Sequence, residues 1–237
     1  MNCIEHVAKN IPKELNSLAV VQALLNLSKC FGSDSVLFEH TDWFGKLTNF
    51  IKTNIRTLDA NHLAGMIFYC SELNHFQNNL WYHYEMQVGR TNITTLMNNL
   101  SLVKTAEAFA KLPPSSPIDT DEVFMQIRLQ LLDRAEKLLK QESTERFLPP
   151  EEFSKSLYVF SSRNESTPEF LEQMSTLLKE GLVEELTNED WARVLWSYGV
   201  AGQLSSTAFL KAQSSVDLEK LWGNLFYQAK WAYCLQN

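Results

Sequence analysis

The sequence predicts an all-α protein, a right-handed α-solenoid of about five helix-turn-helix units closed by a C-terminal helical cap. Three observations predict it. Glycine and proline are sparse, 8 and 7 in 237 residues, which disfavours a turn-rich β fold. Apolar residues recur at helical rather than alternating spacing in segment after segment. A leucine-aromatic register also repeats: Leu186, Trp191, Leu195, Trp196 and Tyr198 are matched by Leu148, Phe153, Leu157, Tyr158 and Phe160, and by Leu58, Leu63, Ile67, Phe68 and Cys70. The aligned leucines 18, 58, 100, 148 and 186 stand 40, 42, 48 and 38 residues apart. Periods of this size with two helices each are the signature of stacked helical repeats.

Taken in order, residues 1–14 read as a short helical lead interrupted by Pro12. The first unit, about 15–54, holds a helix with Leu18, Ala23, Leu27, Ser28 and Cys30 in the register, and a break at residues 31–35. Its partner helix is expected over 36–52, with Leu37, Trp43, Phe44, Leu47, Phe50 and Ile51 inward. The second unit, about 55–95, starts after Leu58 with Asp59 as N-cap, and its partner spans about 76–88. The third unit, about 96–145, runs from Leu100 to Leu112, turns at residues 113–117, and continues as a long helix from Asp121 to about Gln141. There Val123, Phe124, Ile127, Leu131, Leu132, Ala135, Leu138 and Leu139 form one apolar stripe, and Thr120, Asp121 and Glu122 suit a helix start.

The fourth unit, about 146–184, opens on Pro149 and Pro150, residues tolerated in a first helical turn, and its first helix ends near Arg163 and Asn164. Its partner runs from Thr167 and Pro168 to Leu182, with Gly181 as the stop. The fifth unit, about 185–237, carries the best-marked helix in the chain. Thr187 and Asp190 form a short-armed capping box, and Gly199 and Gly202 offer left-handed stops. A second helix from about Ser205 and a terminal segment over 218–235 follow. The units together form one domain covering 1–237.

Charge is unevenly placed. Residues 1–112 hold 9 basic and 9 acidic residues, whereas residues 113–237 hold 12 and 19 and so carry the whole net charge of −7. Nucleic-acid affinity rests largely on Lys and Arg, so the acidic half disfavours general binding to polyanions. No apolar run reaches the ~18 residues of a membrane span. The first 20 residues contain no Arg and no hydrophobic core, so neither a secretory signal nor an Arg-rich presequence is expected.

No arrangement for catalysis, metal binding or cofactor binding emerges. Cys3, Cys30, Cys70 and Cys234 are dispersed and read as reduced thiols, Cys30 and Cys70 on apolar helix faces. His6, His40, His62, His75 and His83 form no ligand cluster. The eight residues between His75 and His83 correspond to about 12 Å, too far for joint ligation. Phosphate-binding glycine loops and nucleophile elbows are missing. The expectation is a protein that is not an enzyme and uses neither metal nor cofactor.

Aromatic residues remain. Trp191 and Trp196 diverge by about 140° on one helix and are expected to be packed between units. Trp81, Tyr82 and Tyr84 occupy adjacent helix faces, so at least one should point away from its own core. Trp222, Tyr227 and Trp231 lie in the terminal segment, where a stack exposes an uncovered face. These six are the candidate partner-binding residues.

The stretches 148–162 and 186–202, with a leucine, a proline or acidic cap and then Leu157-Tyr158 or Leu195-Trp196, resemble the first helices of octotricopeptide and heptatricopeptide repeats. Such repeats occur in organellar proteins of the FAST-kinase-like and RAP-domain groups; no RAP-like segment is recognisable here. The resemblance implies a mitochondrial or plastid helical-repeat protein from a family that binds RNA or has been absorbed into large complexes, and the mitochondrial matrix side is the expected location. Family arrays that bind RNA tend to be basic, and this chain is acidic. The expected role is therefore a non-catalytic scaffold or accessory subunit of a respiratory complex, ATP synthase or mitoribosome, acting through protein contacts. Peripheral membrane association would come through partners, and the alternative is an organellar RNA-binding protein acting in transcript processing or translation.

Overall fold

A computed structural model describes residues 16–32, 41–143 and 146–236. Within them all regular structure is helical, in two compact units, Met1–Gln126 and Ile127–Asn237. Pro12, Leu37, Cys3, His6 and His40, and most of the break at 31–35, lie outside the described residues.

In the first unit, α1 (Ser17–Phe31) is capped by Asn16, whose side chain accepts the Ala19 N–H at 2.9 Å. Helix α2 (Asp42–Asn54) buries Phe44, Leu47 and Ile51 and runs into a tight turn at Ile55–Thr57. Helix α3 (Ala60–Glu72) starts at Asp59, whose carboxylate accepts the Asn61 and His62 N–H groups. Then come α4 (Asn78–Arg90), the four-residue α5 (Ile93–Leu96) and α6 (Asn99–Ala110), the last capped by Asn98 through the Ser101 N–H at 2.8 Å. Helix α3 packs against both α1 and α6, while α2 packs against α4. First helices thus lie on first helices.

Helix α7 (Asp121–Leu139) contains the boundary between the units. Its buried stripe is Val123, Phe124, Ile127, Leu131 and Ala135, with Leu132, Leu138 and Leu139 half-buried. The second unit continues with α8 (Pro150–Ser162), α9 (Pro168–Lys179), α10 (Asn188–Val200), α11 (Thr207–Ser215) and α12 (Gly223–Tyr233). Single 3-10 turns, Leu218–Lys220 and Cys234–Gln236, flank α12. Helix α10 is the centre, packed against α8, α11 and α12, and α9 packs against α11.

A local cause underlies the likeness of α3, α8 and α10. Each follows a buried leucine, Leu58, Leu148 or Leu186, and each buries the residues five, nine and twelve positions later, apart from the half-buried Trp191. Each also ends in the same turn. Asn74, Asn164 and Gly202 adopt φ of +52°, +60° and +69°. The next N–H closes a six-residue loop back onto the helix: His75 to the Cys70 carbonyl at 2.9 Å, Glu165 to Phe160 at 2.7 Å and Gln203 to Tyr198 at 2.9 Å. This is the Schellman geometry, which satisfies carbonyls that the helix end would leave unpaired.

Several expectations are corrected. The register in α6 starts at Met97, not Leu100: Met97, Leu102, Ala106 and Phe109 are buried and Leu100 is only half-buried. In α1 the buried set is Val20, Ala23, Leu24 and Leu27, whereas Leu18 and Cys30 are exposed. Gly199 is not a stop. It lies inside α10, where an added Cβ would stand 3.0 Å from the Ala232 Cβ, so its role is to let α12 approach. Trp191 and Trp196 are half-buried rather than enclosed.

Candidate interaction surface

The six candidate aromatics fall into two groups with opposite fates. Trp81 and Tyr84 are fully buried, which removes them from any accessible surface and corrects the expectation. Together with Leu80 and Val88 they occupy one face of α4. The Trp81 indole N–H donates to the His75 carbonyl at 2.8 Å, and its ring meets Tyr84 and Phe109 edge-on at 5.6 and 5.2 Å. Such edge contacts add about 0.5–1.5 kcal/mol each to the burial energy. Tyr84 places its hydroxyl 3.6 Å from the Cys70 sulfur. Burial pushes the Cys70 thiol up to about 12, with the Tyr84 hydroxyl pulling it partly back, and raises Tyr84 well above its usual value. Both groups are held neutral in the core.

Tyr82, on the opposite side of α4, is 52% exposed. On α12 the exposure is larger: Trp222 85%, Tyr227 70% and Trp231 49%. The residues that α12 does bury are Ala229 and Ala232, two small side chains that seat it close against α10 beside Gly199. Because alanines fill the inner face, the large rings have only the outer face left. Phe226 meets Tyr227 edge-on at 5.3 Å, and the Lys230 ammonium lies 5.6 Å from the Phe226 ring centre.

Polar chemistry concentrates at the start of α10. Asp190 is 2% exposed, yet its carboxylate is fully engaged. One oxygen accepts the Ser154 hydroxyl at 2.6 Å and the Arg193 guanidinium at 3.0 Å. The other accepts the Thr187 N–H at 3.1 Å and its hydroxyl at 2.6 Å. Sequence reading found Asp190 as a capping acid but missed its second role as the bridge from α10 to α8. The nearby groove of about 450 Å³ is lined by Glu151, Thr187, Asn188, Glu189, Asp190, Arg193 and Lys220. Its charged groups are paired within the chain, Arg193 with Asp190 and Glu189, Lys220 with Asp217 and Lys155 with Glu151 at its edge. The arrangement ties helices together.

A second groove, of about 460 Å³, is lined by Glu85, Gly89, Arg90, Thr91, Asn92, Asp119, Glu122 and Gln126. Buried Glu85 accepts from Arg90 at 3.3 Å, and Gln126 donates to Glu122 at 2.8 Å. Among the described residues no three His, Cys, Asp or Glu side chains gather as a metal site, and no helix is long and apolar enough to cross a membrane. Basic groups near an aromatic occur at Phe68, flanked by Lys104 and Lys111 at 5.4 and 5.5 Å, but Lys111 is itself paired with Glu72 and Glu107.

Comparison with protein-family models, with curated proteins and with solved structures finds no match to this chain.

Proposed function

We propose that this protein is a non-catalytic helical-repeat scaffold, an accessory subunit that works through protein contacts inside a larger assembly, mitochondrial as its resemblance to organellar repeats implies. The observation that carries the reading is the exposure of Trp222, Tyr227 and Trp231 on one helix. Large aromatics dominate the energetics of protein interfaces, and leaving three of them in water on a short helix forgoes burial worth about 1.5–3 kcal/mol for each ring covered. The recurring first helices support the α-solenoid part of the reading. Helices α3, α8 and α10 share a cap position, burial pattern and closing turn, and they stack on one another's kind within each unit. Repeats of this sort present extended surfaces to partners.

The test is native-gel or gradient analysis of gently solubilised mitochondria carrying a tagged copy. Migration of the chain with a large complex is the expected result. Migration only as a free monomer, or an extra-mitochondrial location, overturns it. Salt-sensitive binding of single-stranded RNA by the purified chain would turn the reading toward transcript handling.

A further inference from the structure

The two grooves differ in how their charges are met. At the start of α10 the charged groups are paired within the chain, whereas in the groove between α4 and the first turn of α7 three carboxylates, Glu85, Asp119 and Glu122, share one cation, Arg90. Gly89 brings this about. A Cβ at that position would stand 3.3 Å from the Glu122 Cγ, so the glycine lets the Glu122 side chain lie against α4 one turn beyond Glu85. Glu85 is 3% exposed, and one of its oxygens accepts from the Arg90 Nε at 3.3 Å, on a side chain that is itself 57% exposed. Its other oxygen meets no donor among the described residues and opens to the groove. A carboxylate offers about four acceptor positions, and a buried one is costly to leave with a single partner. Glu122 accepts from Gln126 at 2.8 Å and Asp119 from the Asp121 N–H at 3.1 Å, each with one oxygen only.

We propose that this groove receives the guanidinium of an arginine carried by a partner protein, with Glu85 as its buried acceptor and Glu122 and Asp119 at the rim. The inference rests on the protein-contact reading above and names the partner's chemistry at a second surface. The excess of carboxylates gives the sign of the occupant. Their spacing gives its shape: among the described residues no three acidic side chains gather as a metal site, so the acceptors suit a planar fork with several N–H groups rather than a point charge. The lining gives its source. No lining residue brings an apolar side chain, and free small ligands depend on apolar walls; a cation delivered on a protein does not, because the surface around it supplies the contact. Tyr82, 52% exposed, stands three residues before Glu85 and seven before Gly89 on that side of α4, where a covering surface would meet it.

The test is a titration of the isotope-labelled full chain with N-acetyl-arginine amide, followed by amide chemical shifts at constant ionic strength. Saturable shifts confined to residues 85–92 and 119–126 are expected, and N-acetyl-lysine amide should bind more weakly. Glu85→Gln should weaken arginine binding about tenfold, the loss of one charge-assisted hydrogen bond. Since a change at a buried position can disturb folding, Glu122→Gln, on a half-buried side chain, carries the test independently and should weaken binding severalfold. Arg90→Ala, which removes the competing cation, should tighten it. No saturable shifts, binding indifferent to Glu122→Gln, or weaker binding by Arg90→Ala overturns the proposal. So does a stronger response of the same amides to spermine or to magnesium than to the blocked arginine. In mitochondria, Asp119→Asn with Glu122→Gln should lower the share of the chain that migrates with a large complex. An unchanged share overturns this inference and leaves the scaffold reading standing, whereas an unaltered chain that binds the blocked arginine but migrates alone sinks the scaffold reading and, with it, a partner as the source of the cation.

Discussion

Helices α4 and α12 are both short, both carry a tryptophan and tyrosines within a few residues, and treat them in opposite ways. Helix α4 turns Trp81 and Tyr84 into the core beside Leu80 and Val88 and leaves Tyr82 outside. Helix α12 fills its inner face with Ala229 and Ala232 and leaves Trp222, Tyr227 and Trp231 outside. Aromatic content is the same kind of signal in both; what differs is the size of the residues sharing the inward face. Large inward neighbours place a helix at ordinary packing distance with room for rings between. Small ones draw the helix close, as at Gly199, and rings of that size then have no space inside.

The contrast can be broken most forcefully in the first unit. Trp81→Ala should cost about 3–5 kcal/mol in chemical denaturation, because the ring is fully enclosed and its hydrogen bond to the His75 carbonyl is lost with it. A loss below about 1 kcal/mol would mean that α4 is not anchored as described. The adjacent Cys70–Tyr84 pair sharpens the same point through pH. An unfolded thiol titrates near 9.0, whereas burial holds Cys70 protonated to about 12. The neutral thiol's contribution is therefore complete below pH 9 and is lost as pH rises from 9 toward 12. Stability followed across that window should fall, and Cys70→Ala should flatten the fall. Cys70 should also resist iodoacetamide in the native state while exposed Cys30 and Cys234 react.

Helix α10 stands between the two extremes. Trp196 is half-buried, with its ring 4.7 Å from that of Tyr158, whose hydroxyl accepts from Gln228 at 3.0 Å. Partial burial plus one ring contact makes Trp196→Ala worth about 1–2 kcal/mol, well short of a core tryptophan. A cost equal to that of Trp81→Ala would show that the indole is enclosed in solution.

The helices were legible in the sequence because their ends are chemically explicit: Asp59, Thr187, Pro150, Gly181 and Gly202 mark starts and stops by properties of single residues. The register was less so. Leu100 drew the reading three residues past Met97, almost one turn, so the same helix face was recognised with the wrong starting point. Leu18 misled in another way, being an apolar residue on the outer face of α1. The candidate surface was half legible. Spacing alone places Trp81 and Tyr84 on one face with Leu80 and Val88, a signal that could have marked them as core. The exposure of the α12 rings depends on how closely α10 approaches, set by Gly199 and Ala232 from segments distant in sequence. Asp190's bridge to Ser154 spans 36 residues and has no local trace.

The smallest effect belongs to the residue with the largest ring and the most solvent. Trp222 precedes the first turn of α12 without a side-chain capping bond, and it is 85% exposed. Replacing it by Ser removes little buried area and supplies a hydroxyl suited to an N-cap, whose bond to the N–H groups of the first turn is worth about 1 kcal/mol. The two effects oppose each other, so Trp222→Ser should leave stability unchanged within about 0.5 kcal/mol or raise it slightly. That outcome would show that the fold makes no demand for a tryptophan here, as the proposed partner contact at this ring requires. Loss of more than about 1 kcal/mol would place Trp222 among the packing residues with Trp81, and the difference between α4 and α12 would then be one of degree.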